Sequence, residues 1–69
     1  MSWPAGVDPV LREAAERVCS QKQLEVVQLL AAGYGMRRIG LLLGISRGAV
    51  RDRAESAQRK MQAALEEPT

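Results

Sequence analysis

The sequence has no histidine and a single cysteine, Cys19. Together these exclude an intramolecular disulfide and any zinc site built from cysteine and histidine. A lone cysteine fits a reducing compartment, or simply a small buried apolar side chain. No apolar run approaches the ~18 residues that a membrane span needs, and no signal peptide opens the chain. The expectation is a cytoplasmic protein with no membrane, metal or cofactor. Catalytic furniture is also missing: no glycine-rich phosphate loop of the right spacing, no histidine, no carboxylate pair suited to a pocket. An enzyme is therefore not expected, and Ser20 and Ser46 read as helix caps rather than nucleophiles.

What is present is modest in size. The 69 residues have room for one domain. A core of that scale rarely supplies more than about 3–5 kcal/mol, so stabilisation by a partner, a second copy or DNA is expected. The net charge of +2 conceals an uneven distribution. Residues 1–32 carry −1, residues 33–54 carry +4 and residues 55–69 carry −1. The middle segment holds Arg37, Arg38, Arg47, Arg51 and Arg53 against Asp52 alone. Positive charge focused in this way suits a polyanion, although an arginine-rich solvated surface has the same composition.

Apolar periods and capping residues predict four helices. "MSWPAGV", residues 1–7, reads as an irregular arm. Its Trp3 either folds back on the helices or joins a dimer contact. Asp8 then caps a helix with Pro9 in its first position, and Val10, Leu11, Ala14, Ala15 and Val18 form its apolar stripe. "SQKQ" opens a second helix with a capping box between Ser20 and Gln23. Its Leu24, Val26, Val27, Leu29, Leu30 and Ala31 are too apolar for a one-sided helix, which predicts a central position. Gly33 ends it as a left-handed cap. A short helix follows over about Met36 to Leu43, weakly capped by Gly35. The fourth starts after Ser46 and runs to about Glu66, its apolar set Val50, Ala54, Ala57, Met61, Ala64 and Leu65 spaced by threes and fours. Nothing alternates with period two. The fold class is all-α, a four-helix domain over residues 8–66 with a long C-terminal helix and a tail at 67–69.

Two helices joined by a tight turn over about residues 44–46, the second capped by serine, form a helix-turn-helix pattern. Gly40 stands where the two helices approach. Gly44 supplies a positive φ at no steric cost, and Ile45 plugs the turn into the core with Ile39, Leu43 and Val50. An ordinary helical hairpin explains Gly44 but not the arginines on either side. With Val50 inward, Arg47, Gly48, Arg51 and Asp52 occupy the exposed first two turns of the fourth helix, where a recognition helix reads bases. Arginine suits guanine and aspartate suits the cytosine amino group, while Gly48 permits close backbone approach. Lys22, Arg37, Arg38, Ser46 and Arg53 are placed for phosphate. Glu55 marks where the helix leaves the groove.

Ser20 to Met61, "SQKQLEVVQLLAAGYGMRRIGLLLGISRGAVRDRAESAQRKM", resembles the DNA-binding domain of LuxR/GerE-type regulators. It is also similar to region 4 of sigma-70-type factors. Both share a capped helix with "xxEVxxLLAxG", then "xxIAxxLGISxxTVxxxxxxAxxKL". The residues carrying the likeness are Glu25-Val26, Leu29-Leu30, Gly33, Ile39, Leu43-Gly44-Ile45-Ser46, Val50, Ala57 and Lys60-Met61. The matched stretch covers about 42 of 69 residues, and its motifs do not choose between the branches. "SRGAVRDRAESAQRK" leans to the sigma type, because Arg53 stands where LuxR-type proteins favour histidine. The resemblance implies helix-turn-helix binding of double-stranded DNA by Arg47, Gly48, Arg51 and Asp52 in transcription, and for the sigma branch a contact with RNA polymerase.

Three departures stand out. Gly40 replaces the usual alanine, which costs the third helix about 1 kcal/mol of propensity. Ala49 replaces a threonine and its hydroxyl. Leu41 and Leu42 replace positions that are usually charged. Leu42 is expected at the core edge, whereas Leu41, about 200° around the helix from Ile39, points out. A stray surface leucine is ordinary, but with Tyr34 and Met36 it also suits a face for another protein.

Two functions therefore compete. One is a small regulator that binds promoter or operator DNA, of bacterial, plasmid or phage origin. The other is a sigma-region-4-like module that binds RNA polymerase or another transcription protein. Ala57, Met61, Ala64 and Leu65 either pack on the first helix or form the seam of a homodimer. Such a seam would set two recognition helices about 34 Å apart on a pseudo-palindrome.

Overall fold

A computed structural model describes residues 3–66; Met1, Ser2 and the expected tail at 67–69 lie outside the described residues. The chain forms four helices and, among these residues, no strand: α1 (Pro9–Val18), α2 (Gln21–Ala31), α3 (Met36–Leu43) and α4 (Arg47–Glu66). Each start is fixed locally. The Asp8 carboxylate accepts from the Val10 amide at 2.9 Å, and Pro9 leads the helix. Ser20 Oγ accepts from the Gln23 amide at 3.2 Å, while Gln23 Oε1 accepts from the Ser20 amide at 3.0 Å, completing the capping box. Ser46 Oγ accepts from the Ala49 amide at 3.0 Å. Gly35 caps α3 without a side-chain bond.

The core is small. Val26, Leu29, Ile39 and Val50 are buried together, with Leu43, Ile45 and Ala54 packed against them. Ala14, Ala15 and Ala57 are also buried, and α1 packs on α4. Alanines let helix axes approach closely, at the cost of little apolar area per residue. α2 touches all three of the other helices, which is the central position expected, and α4 does so as well.

Several apolar residues fall outside this core. In α1 only Ala14, Ala15 and Val18 are covered, whereas Val10 and Leu11 are exposed. In α2 Leu30 and Ala31 are exposed. In α3 Leu41 points out as expected, at 79 % exposed, but Leu42 is 55 % exposed rather than at the core edge. The physical reason is coverage. A helix of ten residues can bury only the stripe its neighbour reaches, and α3 is touched only by α2 and α4.

The turn between α3 and α4 is tight. Gly44 has φ 68°, and the Ile45 amide donates to the Gly40 carbonyl at 2.9 Å. A Cβ on Gly40 would stand 2.8 Å from the Ile45 carbonyl oxygen, closer than side chains pack. Glycine at 40 is therefore dictated by backbone proximity.

Gln23 reaches beyond its cap. Its Nε2 donates to Ser56 Oγ at 3.0 Å, and its Oε1 accepts from Lys60 Nζ at 3.0 Å. The arm is tied down as well: Trp3 is half-buried, and its indole N–H donates to Glu16 Oε1 at 2.9 Å. That bond places Trp3 against α1.

Candidate nucleic-acid interface

The residues expected to read bases sit at the head of α4. Ser46 holds the first turn through its cap bond, which leaves Arg47, Gly48, Arg51 and Asp52 exposed in the first two turns. Gly48 is open: the nearest atom to a Cβ there would be Ser46 Oγ at 3.9 Å. Arg47, Gly48 and Arg51 line one wall of a shared concavity, whereas Asp52 lies outside it. The arginines are not equivalent. Arg51 Nε donates to Glu55 Oε1 at 3.0 Å, an ion pair between mostly exposed groups. Arg47 makes no ion pair among the described residues.

The expected phosphate contacts are more scattered. Arg37 and Arg38 are exposed in the first turn of α3, and the Arg38 guanidinium lies 5.7 Å from the centroid of the Tyr34 ring. Lys22 is exposed in the first turn of α2. Arg53 is half-buried, so less of it is offered to solvent than of Arg47 or Arg51. The Ser46 oxygen is engaged as an acceptor by the Ala49 amide, which leaves its hydroxyl proton free to donate.

The residues considered for protein contact divide. Met36, Met61 and Leu65 line the same concavity as Arg47 and Arg51, whereas Tyr34 and Leu41 do not. Ala57 is fully buried in the chain's own core and so is not offered to a two-fold seam, whereas Ala64 is half-buried.

Two features are not visible in the sequence reading. One is the concavity itself, of about 1330 Å³, walled by α4 and floored by Leu11, Val27, Leu30 and Met36. The other is the Gln23–Ser56–Lys60 cluster across α2 and α4. The Arg51–Glu55 spacing of four residues is a readable signal for the pair. Cys19 is partly buried, which raises its thiol pKa above the ordinary value, with Lys60 opposing the shift. No three carboxylate, thiol or imidazole groups converge among the described residues. No described helix is long and apolar enough to cross a membrane. Compared with family models, with curated proteins and with solved structures, the chain matches none.

Proposed function

We propose that the chain is a small helix-turn-helix regulator that binds promoter or operator DNA in the major groove through the head of α4. The observation that carries this reading is the exposure of Arg47, Gly48 and Arg51 on one wall at the start of a capped helix, behind a tight glycine turn. Arg47 and Arg51 supply bidentate donors for guanine, Gly48 allows the backbone to approach, and Asp52 accepts from a cytosine amino group. Arg37, Arg38 and Lys22 add sequence-independent attraction to phosphate. The residues of the resemblance, from the capping box to Met61, support the same assignment. No catalytic step belongs to this function.

The test is duplex binding by fluorescence anisotropy across a salt series, with the Arg47→Ala/Arg51→Ala double variant beside the wild type. Binding should fall with salt at a log–log slope of about −0.9 per phosphate neutralised. The double variant should lose binding while keeping its helical melting curve. Binding that ignores both salt and the double substitution would rule the reading out.

A second reading is favoured by one observation. Leu41 and Leu42 are adjacent exposed leucines on α3, outside the concavity. They suit a sigma-region-4-like contact with RNA polymerase or another transcription protein. Leu41→Glu would abolish such a contact and spare DNA binding, the reverse of the arginine double variant.

A further inference from the structure

The concavity beside α4 presents a surface that a phosphate backbone does not match. Its floor is apolar, formed by Leu11, Leu30 and Met36 with half-buried Val27. Its α4 wall runs the length of the helix, from Arg47, Gly48 and Arg51 at the head to Met61, Leu65 and Glu66 at the tail. Among the described residues eight large apolar side chains are exposed, and four of them, Leu11, Leu30, Met36 and Leu65, line this one groove. Against a core of seven buried apolar residues among those described, that is much apolar surface in one place.

Charge along the groove is graded. The head combines the positive end of the α4 dipole with Arg47, and the tail combines the negative end with Glu66. The only ion pair along it, Arg51 with Glu55, leaves Arg47 and Glu66 without ionic partners among the described residues. A graded groove of this kind complements a copy of itself turned end for end. Antiparallel alignment that brings Arg47 opposite the second copy's Glu66 also brings Gly48 opposite Leu65, Arg51 opposite Gln62 and Glu55 opposite Gln58. All of these residues line the groove. The bulkiest exposed apolar side chain of the tail thus meets the position with no side chain, where only Ser46 Oγ is near.

We propose that two copies of this chain pair through the α4 groove as an antiparallel, two-fold dimer. Leu65 of each inserts beside Gly48 of the other, and Arg47 pairs with Glu66 twice. The arrangement is isologous, so it closes at two and builds no chain of subunits. It also covers Arg47, Gly48 and Arg51. Resting on the DNA-binding reading for this part alone, the dimer and the DNA complex exclude one another, and self-association opposes DNA binding.

Sedimentation of the full chain across a wide concentration series tests the pairing without DNA. The wild type should pass from monomer to dimer and no further. Arg47→Glu and Glu66→Arg should each weaken association by roughly 2- to 25-fold, because each rim pair is worth about 1.4- to 5-fold and occurs twice. The double swap should restore it. Gly48→Leu should abolish it with the helical melting curve retained. A wild type that stays monomeric throughout overturns the proposal and leaves the groove to a different protein. So does a dimer indifferent to Gly48→Leu and to the swaps, or assembly beyond two.

The DNA arm uses Leu65→Gln, which should stay monomeric and bind duplex normally. Wild-type binding should lag behind it once protein concentration exceeds the dimer Kd. Equal binding at every concentration, with a confirmed dimer, overturns the exclusion. If neither protein binds DNA while the charge-swap rescue holds, the DNA reading falls and the dimer stands.

Discussion

Replacing Gly40 with alanine should destabilise the protein, although helix propensity alone says the opposite. Position 40 is inside α3, where alanine is favoured over glycine by about 0.8–1 kcal/mol. The added methyl, however, would lie 2.8 Å from the Ile45 carbonyl oxygen. That oxygen belongs to the backbone and cannot swing aside. The Ile45 amide is bonded to the Gly40 carbonyl, Gly44 holds the left-handed turn, and Ser46 is fixed by its cap bond to the Ala49 amide. Forcing such a contact apart costs about 1–3 kcal/mol, as other overpacking does. The net loss is about 1 kcal/mol, and at this chain length each kilocalorie lowers the melting temperature by about 4–8 °C. Thermal and urea unfolding followed by circular dichroism would measure it. Gly48→Ala is the control, because its methyl meets nothing closer than 3.9 Å, and it should be neutral or stabilising by up to about 1 kcal/mol. A Gly40→Ala variant as stable as Gly48→Ala would refute the close approach of the turn to α3.

Other substitutions follow from the same geometry. Ser46→Ala removes the α4 cap and should cost about 1 kcal/mol in urea unfolding. Ile39→Ala empties the fully buried centre of the core and should cost about 2–5 kcal/mol, enough to leave a domain of this size largely unfolded by circular dichroism. Glu55→Gln breaks a pair whose members are 71 % and 49 % exposed, so stability should change by less than about 0.5 kcal/mol. With its carboxylate gone and Arg51 released, duplex affinity at low salt should rise. Cys19, with its thiol pKa raised by burial, should alkylate more slowly near neutral pH than a free cysteine, and urea should remove the difference.

What could be read in the sequence was what is decided within a few residues. Asp8, Ser20 and Ser46 each bond an amide two or three positions on, so their spacing alone specifies the helix starts. Gly44 needs a left-handed backbone whatever surrounds it. The apolar period marks which residues share a stripe, but not whether a neighbour reaches them. Leu11 and Leu30 carry the right period and line an open groove instead of a core. Arg47 and Arg51 could be placed at an exposed helix head from the position of Val50. That the same wall continues to Met61 and Leu65, over a floor from α1, α2 and α3, depends on the meeting of four helices. Gly40 lies between these cases. Its propensity cost is local, but its necessity comes from a carbonyl across the turn.

Gln23 gives the molecule a cooperativity that its size does not promise. The side chain that closes the α2 cap also holds Ser56 and Lys60, 33 and 37 residues further along the chain. Docking of the middle of α4 holds Gln23 in the same rotamer that closes the cap, so the packing of α4 steadies the start of α2. In native-state hydrogen exchange, Ser56→Ala with Lys60→Ala should therefore speed exchange of the Ser20 amide, a helix terminus whose protection is otherwise decided locally.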